Sequence, residues 1–208
     1  MFPPAIIRVT FFILSLTLAS IIYDICNLNY PPYYMNKFVD LLIQPDDITC
    51  GPTSTSMLLR FYGVDAKIDD VKKLTKTVWY TMDGKDFGMT VPSFIRDCLI
   101  SYGFTALLKK GDLSHLKNII SSGRPSIVLV RSGEWNWHYI VVVGYGDGFI
   151  YFANPSNGEV EGLSESEFKR AWNWSGDLRG NKRSWWVAFW LSSLEIYPCS
   201  YVYIKGNI

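Results

Sequence analysis

Apolar positions follow helical spacing from about residue 50 to 123, then gather into short runs separated by Gly, Asn, Asp and Pro. The first periodic segment is predicted to start at Cys50 or Gly51 and end at Tyr62. It carries Ser54, Met57, Leu58 and Phe61 on one face, and Gly63 is its stop. Asp69 or Asp70 is expected to cap a short helix reaching Lys76. Thr90 is expected to cap a longer one, in which Val91, Phe94, Ile95, Cys98, Leu99 and Tyr102 keep the i, i+3, i+4 pattern up to Gly103. Asp112 opens a further helix, inward at Leu113, Leu116, Ile119 and Ile120 and closed by Gly123 and Pro125.

Beyond this point β-branched and aromatic runs predict strands at Ser126–Arg131, Tyr139–Val143, Phe149–Ala153, Trp185–Leu191 and Tyr201–Ile204, interrupted by a helix over Ser164–Trp172. Helices first and strands afterwards define an α+β domain with a mainly antiparallel sheet.

The start of the chain has a different character. Arg8 precedes an uncharged run from Val9 to Tyr23. A secretory signal needs about 7–15 apolar residues, and a membrane-spanning helix roughly 20. The run sits between these, so residues 1–27 are expected to be a signal peptide or an uncleaved anchor, a buried core helix being the alternative. Thr17-Leu18-Ala19 is a tolerable cleavage site. Residues 28–40, with Pro31 and Pro32, are expected to form an extended linker, and residues 41–208 the folded domain. An extracytoplasmic location follows from this reading, either secreted (or periplasmic) or held at a membrane.

Composition narrows the function. Net charge is +1 with Lys and Arg dispersed, which argues against a nucleic-acid partner. The four cysteines form no CxxC pair and there are only two histidines, so a structural zinc site is not expected. A disulfide between two of Cys26, Cys98 and Cys199 is compatible with an oxidising compartment.

The informative line is Gln44-Pro-Asp-Asp-Ile-Thr-Cys50-Gly51-Pro52-Thr53-Ser54. A cysteine in the first turn of a helix meets unsatisfied N–H groups and the positive end of the dipole, which lower a thiol's pKa. Gly51 permits close backbone approach, and Pro52 suits a first helical turn. Gln44 offers an amide N–H to a developing oxyanion, beside the N–H of Cys50. The nucleophile needs a base. His115 falls on the polar side of its helix, whereas His138 heads the strand His138-Tyr-Ile-Val-Val-Val. Asn154 ends the next strand, and a hairpin turn at Tyr145-Gly-Asp-Gly148 is expected to bring it beside His138 as the orienting group. Each residue also has an ordinary alternative: a buried core cysteine, a structural histidine, an Asn-Pro turn, a loop glutamine.

Gln44-x5-Cys50-Gly51-Pro52-x-Ser54, His138-Tyr139-x-Val141-Val142-x-Gly144-Tyr145 and Asn154-Pro155-x-x-Gly158 together resemble the C39-type branch of the papain-like cysteine peptidases. The resemblance spans about Leu41 to Gly158. It implies a papain-like fold whose nucleophile helix packs on the sheet, with Gln44 as oxyanion-hole residue, Cys50 as nucleophile, His138 as base and acid, and Asn154 as orienter. It also implies hydrolysis of peptide bonds through an acyl-enzyme, a peptide or protein substrate, and no metal or organic cofactor. One departure stands out, since that branch usually carries Asp where this chain has Asn154. The transporter modules fused to such domains in peptide exporters are absent from the sequence, so a dedicated role in leader-peptide maturation is not implied. An amidase, transpeptidase or deamidase on the same machinery, or a membrane-tethered binding module without catalysis, are the competing functions.

Overall fold

The computed structural model describes residues 33–34, 39–82, 85–132, 137–173 and 196–207, all in a single unit, Tyr33–Ile208. The apolar segment Val9–Tyr23 and the strand expected at Trp185–Leu191 lie outside the described residues.

Five helices are described: α1 (Cys50–Phe61), α2 (Ile68–Leu74), α3 (Pro92–Ser101), α4 (Leu113–Ser121) and α5 (Glu165–Trp172). The strands are β1 (Tyr33–Tyr34), β2 (Val78–Met82), β3 (Lys85–Met89), β4 (Phe104–Lys110), β5 (Ser126–Arg131), β6 (Trp137–Gly146), β7 (Phe149–Asn154), β8 (Glu159–Ser164) and β9 (Ser200–Asn207). The main sheet runs β4-β9-β5-β6-β7-β8, with β1 also paired to β6, and β2–β3 form a separate hairpin. Every pairing among the described residues is antiparallel.

One face of the sheet, through Ile127, Leu129, Tyr139, Val141 and Ala153, shares a core with α1 and α3. The other, through Val128, Val130, Ile140, Val142 and Phe152, packs on α4 and α5. Met57, Leu58 and Leu59 are fully buried, and each such side chain contributes about 1.5–3 kcal/mol relative to an exposed one. Ser54 adds a direct tie from α1 to the sheet by donating to the Tyr139 carbonyl at 3.2 Å.

Most predicted elements are present, with informative differences at their ends. Asp112 caps α4 by accepting from the His115 N–H, and Ser164 forms a reciprocal capping box with Glu167 at α5. Thr90 does not cap α3; Val91 is the cap residue, and the Thr90 hydroxyl is turned to Thr77 at 2.6 Å. Helix α2 starts before both aspartates, leaving Asp69 and Asp70 in its first turn, where carboxylates still favour the dipole. Within the segment expected as a linker, Tyr33–Tyr34 pairs with Gly144 and Tyr145. Strands β4 and β8 and the β2–β3 hairpin had no counterpart in the hydrophobic pattern. In β8 the reason is plain, since Glu159-Val-Glu-Gly-Leu-Ser lies at the sheet's edge with no buried residue and no apolar alternation.

Candidate active site

Cys50 is the first residue of α1. Thr49 precedes it without making a side-chain cap, because its hydroxyl donates to the Asp46 carbonyl at 3.2 Å. The helix therefore begins with uncapped amides, and those of Cys50 and Gly51, with the N–H of Tyr139, are directed at the sulfur. Gly51 is needed for closeness: a Cβ there would lie 2.8 Å from both the Cβ and the Oγ1 of Thr90. Thr90 in turn accepts from the Tyr139 hydroxyl at 2.7 Å through its carbonyl. Helix α1 and strand β6 are thus pinned together at the residue following His138.

His138 Nε2 lies 2.8 Å from Asn154 Oδ1 and 3.2 Å from Ser156 Oγ. The pair forms because of an irregularity. Near the turn, Gly144 faces Tyr151 and Tyr145 faces Ile150, whereas further along Val141 faces Ala153, so one residue is bulged at Val143. Continued from the bulge, the register sets Asn154 opposite Ile140, on the same face as His138. Without it, Asn154 faces Val141 and points away from His138, since one residue of slip reverses the side. The turn itself has Asp147 at φ 50° and Gly148 at φ 79°, the double positive-φ turn that suits a tight hairpin.

Gln44 joins this corner through its backbone, donating to the Pro155 carbonyl at 2.8 Å. Its side-chain Nε2 donates one hydrogen to the Asp46 carbonyl at 2.8 Å and, among the described residues, no acceptor takes the second; Oε1 is buried without a partner among them. Gly158, at φ 69°, closes the Asn154–Gly158 turn and presents a surface that Ile43 covers, a Cβ there falling 2.7 Å from Ile43 Cγ1.

Burial dominates the electrostatics. It pushes the Cys50 thiol up, assisted by the Asp46 charge, against the lowering effect of the Tyr139, Gly51 and Cys50 amides. The depressed pKa expected from the helix start is therefore corrected. The amides act in the expected direction, but desolvation of a thiolate outweighs them. The residue itself keeps intermediate exposure. Burial likewise pushes the His138 imidazole down, opposed by the Asn154 hydrogen bond and the Glu161 charge. Burial thus favours the uncharged form of both groups, the thiol of Cys50 and the neutral imidazole of His138. Asp46 behaves oppositely: burial raises its carboxyl, but hydrogen bonds from Thr49, Lys72 and Ile48 with the Lys72 charge bring it below the usual range.

The structure thus gathers the predicted residues into one corner. It pairs His138 with Asn154, ties Gln44 to the turn after Asn154, and sets the Cys50 sulfur against the residue after His138. No hydrogen bond joins Cys50 and His138 among the described residues. His115 is exposed, as its helix position predicts. Cys98 and Cys199 are free, and Cys26 lies outside the described residues. Trp172 is buried and donates to the Ser200 carbonyl at 2.9 Å, while Trp137 is exposed beside His138. Sequence reasoning missed Tyr139, Thr90, Ser156 and Glu161. Tyr139 was legible as the neighbour of His138, but Glu161 sits on a strand that was not foreseen.

Sheet order, the cysteine at a helix start and the histidine at a strand mouth define a papain-like cysteine peptidase architecture. The chain belongs to the Peptidase_C39 like family, whose model matches residues 28–179, and with it to the cysteine peptidases. It is 27% identical, over 64% of its length, to the lactococcin-G-processing and transport ATP-binding protein LagD of Lactococcus lactis subsp. lactis, of which it spans only 17%. Among solved structures it is similar to a C39-like peptidase from Bacillus anthracis, with TM-score 0.63, 15% identity, and 84% and 98% of the two chains covered. The peptidase domain of Streptococcus ComA matches with TM-score 0.59 and 20% identity, over 82% of this chain and all of that one. A double glycine motif protease from an AMS/PCAT transporter, solved with its leader peptide, gives TM-score 0.57 at 16% identity, over 85% and 98%. At these identities the likeness is one of fold.

Proposed function

We propose that the chain cleaves peptide bonds with Cys50 as nucleophile, His138 as general base and acid, Asn154 as orienter and Gln44 as oxyanion donor. The observation that carries this reading is the 2.8 Å contact of His138 Nε2 with Asn154 Oδ1, at a strand whose next amide is directed at the Cys50 sulfur. With Nε2–H donated to Asn154, Nδ1 holds the lone pair that takes a proton.

Because burial favours the thiol and the neutral imidazole, proton transfer accompanies attack in this mechanism. The Cys50 sulfur bonds to the carbonyl carbon while its proton passes to His138 Nδ1, and the carbonyl electron pair becomes an oxyanion. The free N–H of Gln44 and the Cys50 N–H are the donors available to it. Collapse breaks the C–N bond, and the imidazolium protonates the departing amine. Water then attacks the thioester, His138 taking its proton and returning one to the sulfur. The pair tightens as substrate arrives, since such bonds are often loose in a substrate-free site.

Peptides are the proposed substrates, and one carrying Gly-Gly before the scissile bond is the first to test, given the double-glycine protease among the structural neighbours. A panel of quenched fluorogenic peptides should be cut by the wild type and not by Cys50→Ala or His138→Ala. Unchanged cleavage by Cys50→Ala refutes the assignment; labelling of Cys50 by a thiol probe without cleavage of any peptide points to another acyl acceptor. Among the described residues no helix is long and apolar enough to cross a membrane. Export through the segment Val9–Tyr23 is proposed from its sequence alone, and fractionation of cells expressing the full chain tests it.

A further inference from the structure

Glu161 lies on β8 opposite Phe152, two positions along from the partner of Asn154, so it is a diagonal neighbour of Asn154 on the same face. With His138 diagonal to Asn154 on the other side, the three side chains cross β8, β7 and β6 in one row. Glu161 Oε1 accepts from Asn154 Nδ2 at 3.0 Å and from Asn157 Nδ2 at 2.6 Å. The Ser156 N–H donates to Asn154 Oδ1 at 3.0 Å.

A side-chain amide can be turned either way, and its neighbours must choose. A carboxylate accepts only, so Glu161 requires the NH2 end of Asn154. The Oδ1 end is then left for His138, which must present Nε2–H to it and keep its lone pair on Nδ1. We infer that Glu161 is the positioning residue of the base: together with the Ser156 N–H it holds the Asn154 orientation that sets the His138 tautomer, and it alone supplies, at one remove, the negative charge that a carboxylate at position 154 would bring into direct contact. This rests on the reading of Cys50 and His138 as nucleophile and base.

The groups facing His138 leave this role to Glu161. Asn154, at the end of β7, and Ser156, in the turn after it, are neutral, and Glu161 is the charged side chain acting on the imidazole among the described residues. Both amide donors meet the same oxygen, so Glu161→Gln can keep both hydrogen bonds through its Oε1 while losing the charge. Asn154→Asp, conversely, sets two carboxylates at hydrogen-bond distance, which repel.

The test uses the full chain with Glu161→Gln, Asn154→Asp and the double variant. Two histidines make the proton titration of His138 readable by NMR without substrate, and a quenched Gly-Gly peptide gives kcat/KM. Glu161→Gln should move the His138 titration to lower pH and lower kcat/KM about tenfold, the scale of losing an outer partner of a functional histidine, mainly in kcat. In the Asn154→Asp background the same substitution should raise kcat/KM. A His138 titration and kcat/KM unchanged by Glu161→Gln, or an equal loss in both backgrounds, overturns the role. If Cys50→Ala is inactive in that case, only the role of Glu161 fails. If Cys50→Ala still cleaves the peptide, the site reading fails and takes the inference with it.

Discussion

The two halves of the site are held by opposite means. On the helix side the sulfur is surrounded by tight packing: Gly51 against Thr90, Thr53 to Ser56 fully buried, Met57 to Leu59 in the core. On the sheet side a run of side-chain hydrogen bonds, Glu161 to Asn154 to His138, lies at a partly exposed edge. Packing fixes position but removes solvation, and so raises the cost of a thiolate. Hydrogen bonds fix a tautomer and leave the group able to titrate. A nucleophile whose environment favours the thiol thus depends on a base positioned by bonds rather than by bulk.

Breaking the sheet side at its bulge has the largest expected effect. Deletion of Val143 removes the extra residue, turns Asn154 to the face opposite His138, and should cost roughly 10²–10⁴ in kcat/KM, the worth of general acid–base help. Val143→Ala keeps the bulge and should stay within a few-fold in the same peptide assay. Equal behaviour of the two variants contradicts the parity argument.

On the helix side, Gly51→Ala should destabilise the protein by about 1–3 kcal/mol, as overpacking does, measured by urea unfolding. Adding Thr90→Ala should recover part of that loss, because the clash is with the Thr90 side chain.

The pH dependence of stability separates the halves. A neutral His138 is favoured by burial, so its contribution is complete above the ordinary histidine value of 6.5. It is lost as pH falls below that value, through the depressed folded one. The Cys50 thiol contributes fully below its ordinary 9.0 and loses that contribution as pH rises through the raised folded value. Thermal unfolding against pH should show His138→Gln flattening the acid slope alone and Cys50→Ser flattening part of the alkaline one. The smallest effect belongs to Lys72, whose 3.1 Å contact with Asp46 is partly exposed. Lys72→Met should cost roughly 0.2–1 kcal/mol in the same unfolding assay.

The same contrast explains what the sequence disclosed. The helix side was readable because Cys50-Gly51-Pro52 sits at the start of a periodic apolar face, so nucleophile, helix and packing direction all follow from spacing. His138 and Asn154 were readable as the ends of two strands joined by a Gly-Asp-Gly turn. Their meeting was expected from the same turn and is observed, but the face on which they meet was not readable, because it depends on the Val143 bulge, and a bulge leaves no composition signal. Glu161 was hidden because β8 is an edge strand with little apolar alternation. The raised Cys50 thiol was hidden because dipole and amide effects are local, whereas desolvation depends on the assembled core.

The most direct measurement is rapid acid quench of the full chain turning over a peptide thioester or ester, followed by mass mapping of the acyl group. The account predicts an acyl adduct on Cys50, formed more slowly in His138→Ala and absent in Cys50→Ala. Product formed by Cys50→Ala at the wild-type rate, or an adduct confined to Cys98 or Cys199, would contradict it.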